Sequence, residues 1–160
     1  MIGPRHVLTA AHCVDAFLDF EVIVGEHEVV YDSTDGTAHT VCGMTSHPLY
    51  DDRKLVYDFA IIRLQEPVET GPRAVPACLA TSAMGGDALV GETVTVSGWG
   101  YFEEDGYGPD ELHSVDLQVI ANSDCYPGYD WSITDVELCA GNLTHGGIDS
   151  CQGDSGGIYI

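Results

Sequence analysis

The sequence predicts an all-β fold, and three observations carry that expectation. Short runs rich in β-branched and aromatic residues recur along the chain, often alternating with polar ones and bounded by Gly, Pro or Asp. Only two stretches look helical, and both are brief. The 19 glycines and 7 prolines supply turns for many short strands, a composition that suits a β-barrel or a sandwich.

Taken in order, Ile2–Thr9 reads as a strand running into a turn that carries His12, and Thr9–Val14 is the first helical stretch. Phe20–Gly25 and Thr37–Cys42 read as strands, and Phe59–Leu64 as an apolar strand directly behind Asp58. Leu79–Gly91, rich in Ala and Gly, reads as a connection between two halves. Glu92–Ser97 alternates Thr with Val, and Leu112–Ile120 alternates over a longer stretch. The second helical stretch opens at Asn122-Ser-Asp, where Asn or Ser can cap a turn. No internal repeat or low-complexity tract interrupts the pattern.

The 160 residues amount to about one ordinary domain. They are 44% hydrophobic, enough for a core, which excludes a disordered acidic tail. The net charge of −21 argues against nucleic acid and anionic membrane as partners, since both would be repelled. The apolar runs fall far short of the ~20 residues that span a bilayer, and Met1–His6 lacks the apolar stretch of a signal peptide. The charge is uneven. All five basic residues (Arg5, Arg53, Lys54, Arg63 and Arg73) lie in the first 73 positions beside 12 acids, whereas Ala74–Ile160 holds 14 acids and no Lys or Arg.

Six cysteines stand at 13, 42, 78, 125, 139 and 151, with no CxxC among them. The even count and wide spacing suit disulfides and a secreted, extracellular setting, while the lack of short ligand spacings argues against zinc. Spacing alone leaves 15 connectivities open.

Three segments carry chemistry. Leu8-Thr-Ala-Ala-His12-Cys13 puts a histidine on a small-residue turn, Tyr57-Asp58 puts a carboxylate at the mouth of an apolar strand, and Asp149-Ser-Cys-Gln-Gly-Asp-Ser155-Gly-Gly157 puts a serine in a glycine-rich loop. Singly, each is an ordinary surface histidine, turn aspartate or loop. Together they supply a base, an orienting carboxylate and a nucleophile. A serine hydroxyl attacks only when a base takes its proton, the base needs its other nitrogen held, and the oxyanion needs backbone N–H donors. Gly153, without a Cβ, suits a loop whose N–H turns inward beside that of Ser155.

On these segments, together with His47-Pro48, Ser97-Gly-Trp-Gly100 and Leu138-Cys-Ala-Gly141, the chain resembles the trypsin/chymotrypsin family of serine endopeptidases. The matches are collinear and cover nearly the whole chain. The resemblance implies two antiparallel Greek-key β-barrels, residues 1–76 carrying His12 and Asp58 and residues 77–160 carrying Ser155. It implies that His12 is the general base, that Asp58 holds its tautomer, that Ser155 attacks the scissile carbonyl, and that the Gly153 and Ser155 N–H groups form the oxyanion hole. Asp149 falls where the family places the base of the primary pocket, so cleavage after Lys or Arg is expected, through a buried carboxylate that pairs with the substrate cation. Asp154 corresponds to the carboxylate that accepts a new α-amino group on zymogen activation. Protein and peptide substrates are the implied partners, with protein protease inhibitors as further ones, and no cofactor or metal is implied. A non-catalytic homologue would usually lose a triad residue, and none is lost here.

The resemblance also marks departures. The strands before Ile2, the activation sequence and everything beyond Ile160 that closes the family's second barrel have no counterpart. Both barrels are therefore expected to be incomplete, and the isolated chain to have little or no activity. Ile158 stands where the family usually has proline. Cys125 and Cys139 resemble a family disulfide, Cys13 and Cys151 correspond to cysteines whose partners lie outside the chain, Cys78 resembles a position that tethers the propeptide in two-chain members, and Cys42 has no standard partner, so a Cys42–Cys78 bond is left open. Gly25-Glu26 resembles the start of the family's calcium loop. The downstream ligand positions hold Ser33 and Gly36, with Asp32 and Asp35 only as neighbours, so calcium is not predicted. Asn142-Leu143-Thr144 is a sequon, either a glycosylation acceptor or an unused tripeptide. The loop Tyr101–Glu111 carries Glu103-Glu-Asp105 and no basic residue, which predicts resistance to self-cleavage by an enzyme cutting after Lys or Arg.

Overall fold

The computed structural model describes residues 1–15, 20–30, 33–103, 106–125, 133–134, 136–142, 146–147 and 149–160. Asp32, Glu104 and Asp105, and the sequon residues Leu143 and Thr144, lie outside the described residues. The fold is all-β, as expected. Strands β1 (His6–Thr9), β2 (Glu21–Val24), β3 (Thr37–Ser46) and β4 (Ala60–Leu64) form one antiparallel sheet in the order β1-β4-β3-β2. Strands β5 (Thr93–Gly98), β6 (His113–Ile120) and β7 (Cys139–Gly141) form a second in the order β5-β6-β7. Two short helices, α1 (Ala11–Asp15) and α2 (Asn122–Cys125), fall at the two places the sequence marks.

The strand expected over Ile2–Thr9 is shorter than its sequence suggests. His6 N–H bonds to Gly3 O at 3.2 Å and Ile2 N–H to His6 O at 2.9 Å, so Gly3-Pro4-Arg5 is a tight turn. Pro4 fixes φ for such a turn and has no N–H to give a ladder. Strand β3 runs longer than expected, to Ser46, because pairing with β4 carries it through Gly43 and Met44. Its register shifts between Val41 and Gly43. Thr37–Thr40 of β3 pair with β2, whereas Val41 and Gly43–Ser46 pair with β4 across the bulge, and the bend a bulge introduces lets one strand serve both.

Strand β4 alternates as a half-buried strand should: Ala60, Ile62 and Leu64 are buried while Arg63 is exposed. With Ala11, Val14 and Val68 they make the core of this half. Burying a Leu or Ile side chain contributes roughly 1.5–3 kcal/mol, so this strand and α1 supply much of the packing in this half. In the second half Val96, Leu117, Val119, Cys125 and Cys139 are buried. Cys125 and Cys139 are disulfide-bonded and fasten α2 to β7. Cys42 and Cys78 are not bonded to each other: both are exposed free thiols, and Cys13 and Cys151 are also free. A Cys42–Cys78 bond, which the sequence left open, is therefore not formed.

The halves meet along the backbone. Val29 N–H donates to Asp110 O at 2.7 Å and Leu112 N–H to His27 O at 2.9 Å, while the Trp99 indole donates to the same His27 carbonyl at 3.1 Å.

Candidate active site

The ladders explain how residues distant in sequence converge. In the β1–β4 pair Thr9 lies opposite Ala60, and in the β3–β4 pair Ser46 also lies opposite Ala60. The residues just past Thr9, just before Ala60 and just past Ser46 therefore gather at one end of the sheet. These are His12, Asp58 and His47.

His12 sits in the first turn of α1, where backbone N–H groups have no partner within the helix. Asp58 answers that need with one oxygen and holds the imidazole with the other: His12 N–H donates to Asp58 Oδ1 at 2.9 Å, and His12 Nδ1 lies 2.6 Å from Asp58 Oδ2. The bond to Nδ1 leaves Nε2 as the nitrogen facing outward. His12 Nε2 is not hydrogen-bonded to the Ser155 hydroxyl among the described residues. Instead Cys13 Sγ lies 3.5 Å from Nε2, and it also donates to Ser155 O at 3.6 Å. One sulfur thus touches both the imidazole and the serine loop. Burial, and then the nearby Asp58 carboxylate, hold the Cys13 thiol above its ordinary range.

The loop carrying Ser155 is fixed by turns and glycines. Asp154 N–H bonds to Cys151 O at 3.0 Å and Gly157 N–H to Asp154 O at 2.9 Å, while the N–H groups of Gly153 and Ser155 have no partner among the described residues. Gly153 has φ +97°, and a Cβ there would stand 3.1 Å from Gly100 Cα. Gly156 has φ +82°, and a Cβ there would collide with Thr9 Oγ1. Left-handed backbone and close approach together require glycine at both positions. Through Gly156 the serine loop packs on the junction between β1 and α1. The loop's far end is held by β5, where Thr95 and Ile160 exchange both backbone hydrogen bonds, at 2.8 and 3.1 Å.

Asp154 is half-buried, and both its oxygens are used. Oδ1 accepts Gly100 N–H at 2.8 Å and Oδ2 accepts Cys151 N–H at 3.0 Å. Gly98 and Gly100 are needed because any Cβ on either would overlap this carboxylate. Sequence reasoning assigned neither glycine a role, although the motif Ser97-Gly-Trp-Gly100 was the available signal. Asp149 is exposed, not buried as the resemblance implied, and Oδ1 accepts the N–H of its neighbour Ser150 at 2.8 Å. It lines a cavity of about 220 Å³ with Val96, Gly98, Gly100, His113 and Asp154, so two carboxylates share one hollow.

His47 and Tyr57 also escaped assignment. The His47 ring stacks on Tyr57 at 5.0 Å and meets Phe59 edge-on at 4.8 Å, so it touches both neighbours of Asp58. Tyr57 has φ +53°, a conformation that costs a bulky residue of order 1–3 kcal/mol.

The trypsin family model matches the chain over residues 1–160. The chain belongs to the trypsin family of serine proteases. Among this family's members, serine proteinase stubble of Drosophila melanogaster is 36% identical over 98% of this chain and 21% of its own length. Serine protease 1 of Rattus norvegicus is 35% identical over 100% of this chain and 63% of its own length. Trypsin of Squalus acanthias is 33% identical over 100% of this chain and 67% of its own length. The chain thus spans from about a fifth to two thirds of the length of these trypsin-family relatives. No described helix is long and apolar enough to cross a membrane.

Proposed function

We propose that the chain carries the catalytic centre of a secreted serine endopeptidase that cleaves after Lys or Arg through an acyl-enzyme. The observation that carries the reading is the doubly bonded His12–Asp58 pair, with the Ser155 loop docked against the same turn through Gly156. Ser155 Oγ attacks the scissile carbonyl and His12 Nε2 takes its proton. Asp58 keeps the imidazole in the required tautomer and stabilises the imidazolium. The unpartnered N–H groups of Gly153 and Ser155 receive the oxyanion. The proton then passes from His12 to the leaving amine, and water releases the acyl group by the same path.

Asp149 supplies the preference for a cation at the cleaved position. Its carboxylate lies open in a hollow it shares with Asp154, and a Lys or Arg side chain entering there meets concentrated negative charge. Asp154 acts as the acceptor in activation, exchanging its backbone donors for an ammonium group. The Cys125–Cys139 disulfide and the acidic surface suit an extracellular enzyme whose partners are protein substrates and protein inhibitors.

The test is hydrolysis, by a protease of the relatives' full length that carries this chain, of peptide amides with Lys, Arg, Phe or Leu at the cleaved position. Turnover of the Lys and Arg amides is expected, lost by a factor of about 10⁴ or more in Ser155→Ala, with the basic preference abolished in Asp149→Ser. Equal cleavage of basic and apolar substrates by wild type and Asp149→Ser would refute the specificity. Turnover unchanged in Ser155→Ala would refute the mechanism.

A further inference from the structure

We infer that the His47–Tyr57 ring stack is a positioning device for Asp58, holding the backbone that aims both carboxylate oxygens at His12. The inference rests on the reading of His12 as the base and Asp58 as its orienting group, and neither His47 nor Tyr57 touches the reacting atoms.

Asp58 sits at the apex of a three-residue turn. Phe59 N–H bonds back to Tyr57 O at 2.8 Å, closing the backbone around it. Tyr57 enters that turn with φ +53°, where a large side chain is disfavoured. Left to itself, this residue would relax toward negative φ and swing the Asp58 carboxylate away. Two features oppose the relaxation. The loop before it is closed: Asp51 N–H bonds to Val56 O at 3.2 Å, and Asp51 Oδ1 accepts the N–H groups of Arg53 and Lys54 at 3.0 and 3.2 Å. The His47 ring then lies nearly parallel to Tyr57, 11° between planes, and against Phe59 at 60°. One ring therefore clamps the residues on either side of Asp58.

His47 is itself fixed. Its N–H donates to Phe59 O at 2.9 Å, its carbonyl accepts Tyr50 N–H at 2.9 Å, and its Nδ1 accepts Leu49 N–H at 3.2 Å. An accepting Nδ1 places the ring proton on Nε2. The clamp is thus anchored to the end of β3, next to the strand that delivers Asp58.

The reporter is the backbone amide of His12. It lies in the first turn of α1, so Asp58 Oδ1 is its partner and its hydrogen exchange reads the aim of that carboxylate. The experiment is amide exchange of this chain followed by NMR, in wild type, His47→Ala, Tyr57→Ala and Tyr57→Phe. Tyr57→Ala removes the ring but keeps the Cβ that disfavours positive φ, and Tyr57→Phe keeps the ring. Exchange at His12 is expected to accelerate about tenfold or more in His47→Ala and Tyr57→Ala and to stay within about twofold in Tyr57→Phe. Amides of β5 and β6 should be unchanged in all three. Exchange at His12 within about twofold of wild type in both ring-removing variants would overturn the inference. So would an equal acceleration in Tyr57→Phe, or one spread evenly through β5 and β6. If His47→Ala does not fold, His47→Gln, which keeps an acceptor and loses the ring, carries the same expectation and the same reversal.

Labelling of Ser155 by a fluorophosphonate, in a protease of the relatives' full length that carries this chain, separates this inference from the proposed chemistry. Failure to label with exchange changed as expected would reject the chemistry and keep the clamp. Labelling with exchange unmoved would reject the clamp alone.

Discussion

The His12 N–H would be an orphan donor in a helix only five residues long, and a carboxylate 46 positions away accepts it while holding the ring of the same residue. Cys13 is the less expected neighbour, between Nε2 and the Ser155 carbonyl. Because burial and Asp58 raise its pKa, the folded chain holds the Cys13 proton more tightly than the unfolded chain does. The associated stability is complete below the thiol's ordinary value of 9.0 and is lost as pH rises through the higher folded value. Iodoacetamide attacks the thiolate, so Cys13 should be alkylated more slowly than the exposed Cys42 and Cys78 at any pH between about 7 and 9. Peptide mass mapping after timed alkylation checks this, and Cys13 reacting first would contradict it. His12 and Asp58 were legible as a pair from their motifs. The involvement of Cys13 was not, because no spacing rule says where a side chain adjacent in sequence will turn.

Strand β4 carries the most structural weight for its length. It pairs on both edges, with β1 and β3, and sends Ala60, Ile62 and Leu64 into the core. Leu64, 0% exposed, packs in the cluster with Ala11, Val14, Ile62 and Val68. Leu64→Ala is expected to cost about 2–5 kcal/mol, read from the midpoint and slope of denaturant unfolding. A loss below about 1 kcal/mol would mean the strand is less tightly packed than its burial indicates. The alternation in Phe59–Leu64 made this strand readable directly. The end of β3 was not, since Gly43 and Met44 have little strand propensity and are held extended only by the partner across the bulge. The three residues of β7 were missed for a related reason. Cys139-Ala-Gly141 has no alternation to read, and its extended form comes from pairing with Gln118–Ile120.

At the scale of the whole molecule the net charge of −21 sets a cost of self-repulsion, heaviest in Ala74–Ile160, where 14 acids face no Lys or Arg. Raising ionic strength from about 0.01 to about 0.15 M shortens the screening length from roughly 30 to 8 Å. The thermal midpoint should therefore rise with salt, measured by calorimetry at neutral pH. A midpoint that falls over this range would show that attractive pairs such as Arg73–Asp35, 3.1 Å apart, outweigh the repulsion.

The sequence by itself determined the strand class, most element positions and the family, and it pointed to His12, Asp58 and Ser155 as candidates, because these rest on local residue pattern and on motifs. Tertiary structure alone decided what meets what. It turned Gly3-Pro4-Arg5 into a tight turn, left Asp149 exposed in a hollow shared with Asp154, kept Cys42 apart from Cys78, and set the His47 ring against both neighbours of Asp58. Each of these depends on register and on contacts between segments far apart in the chain. A strand shifted by one residue presents its other face, and no local pattern carries that information.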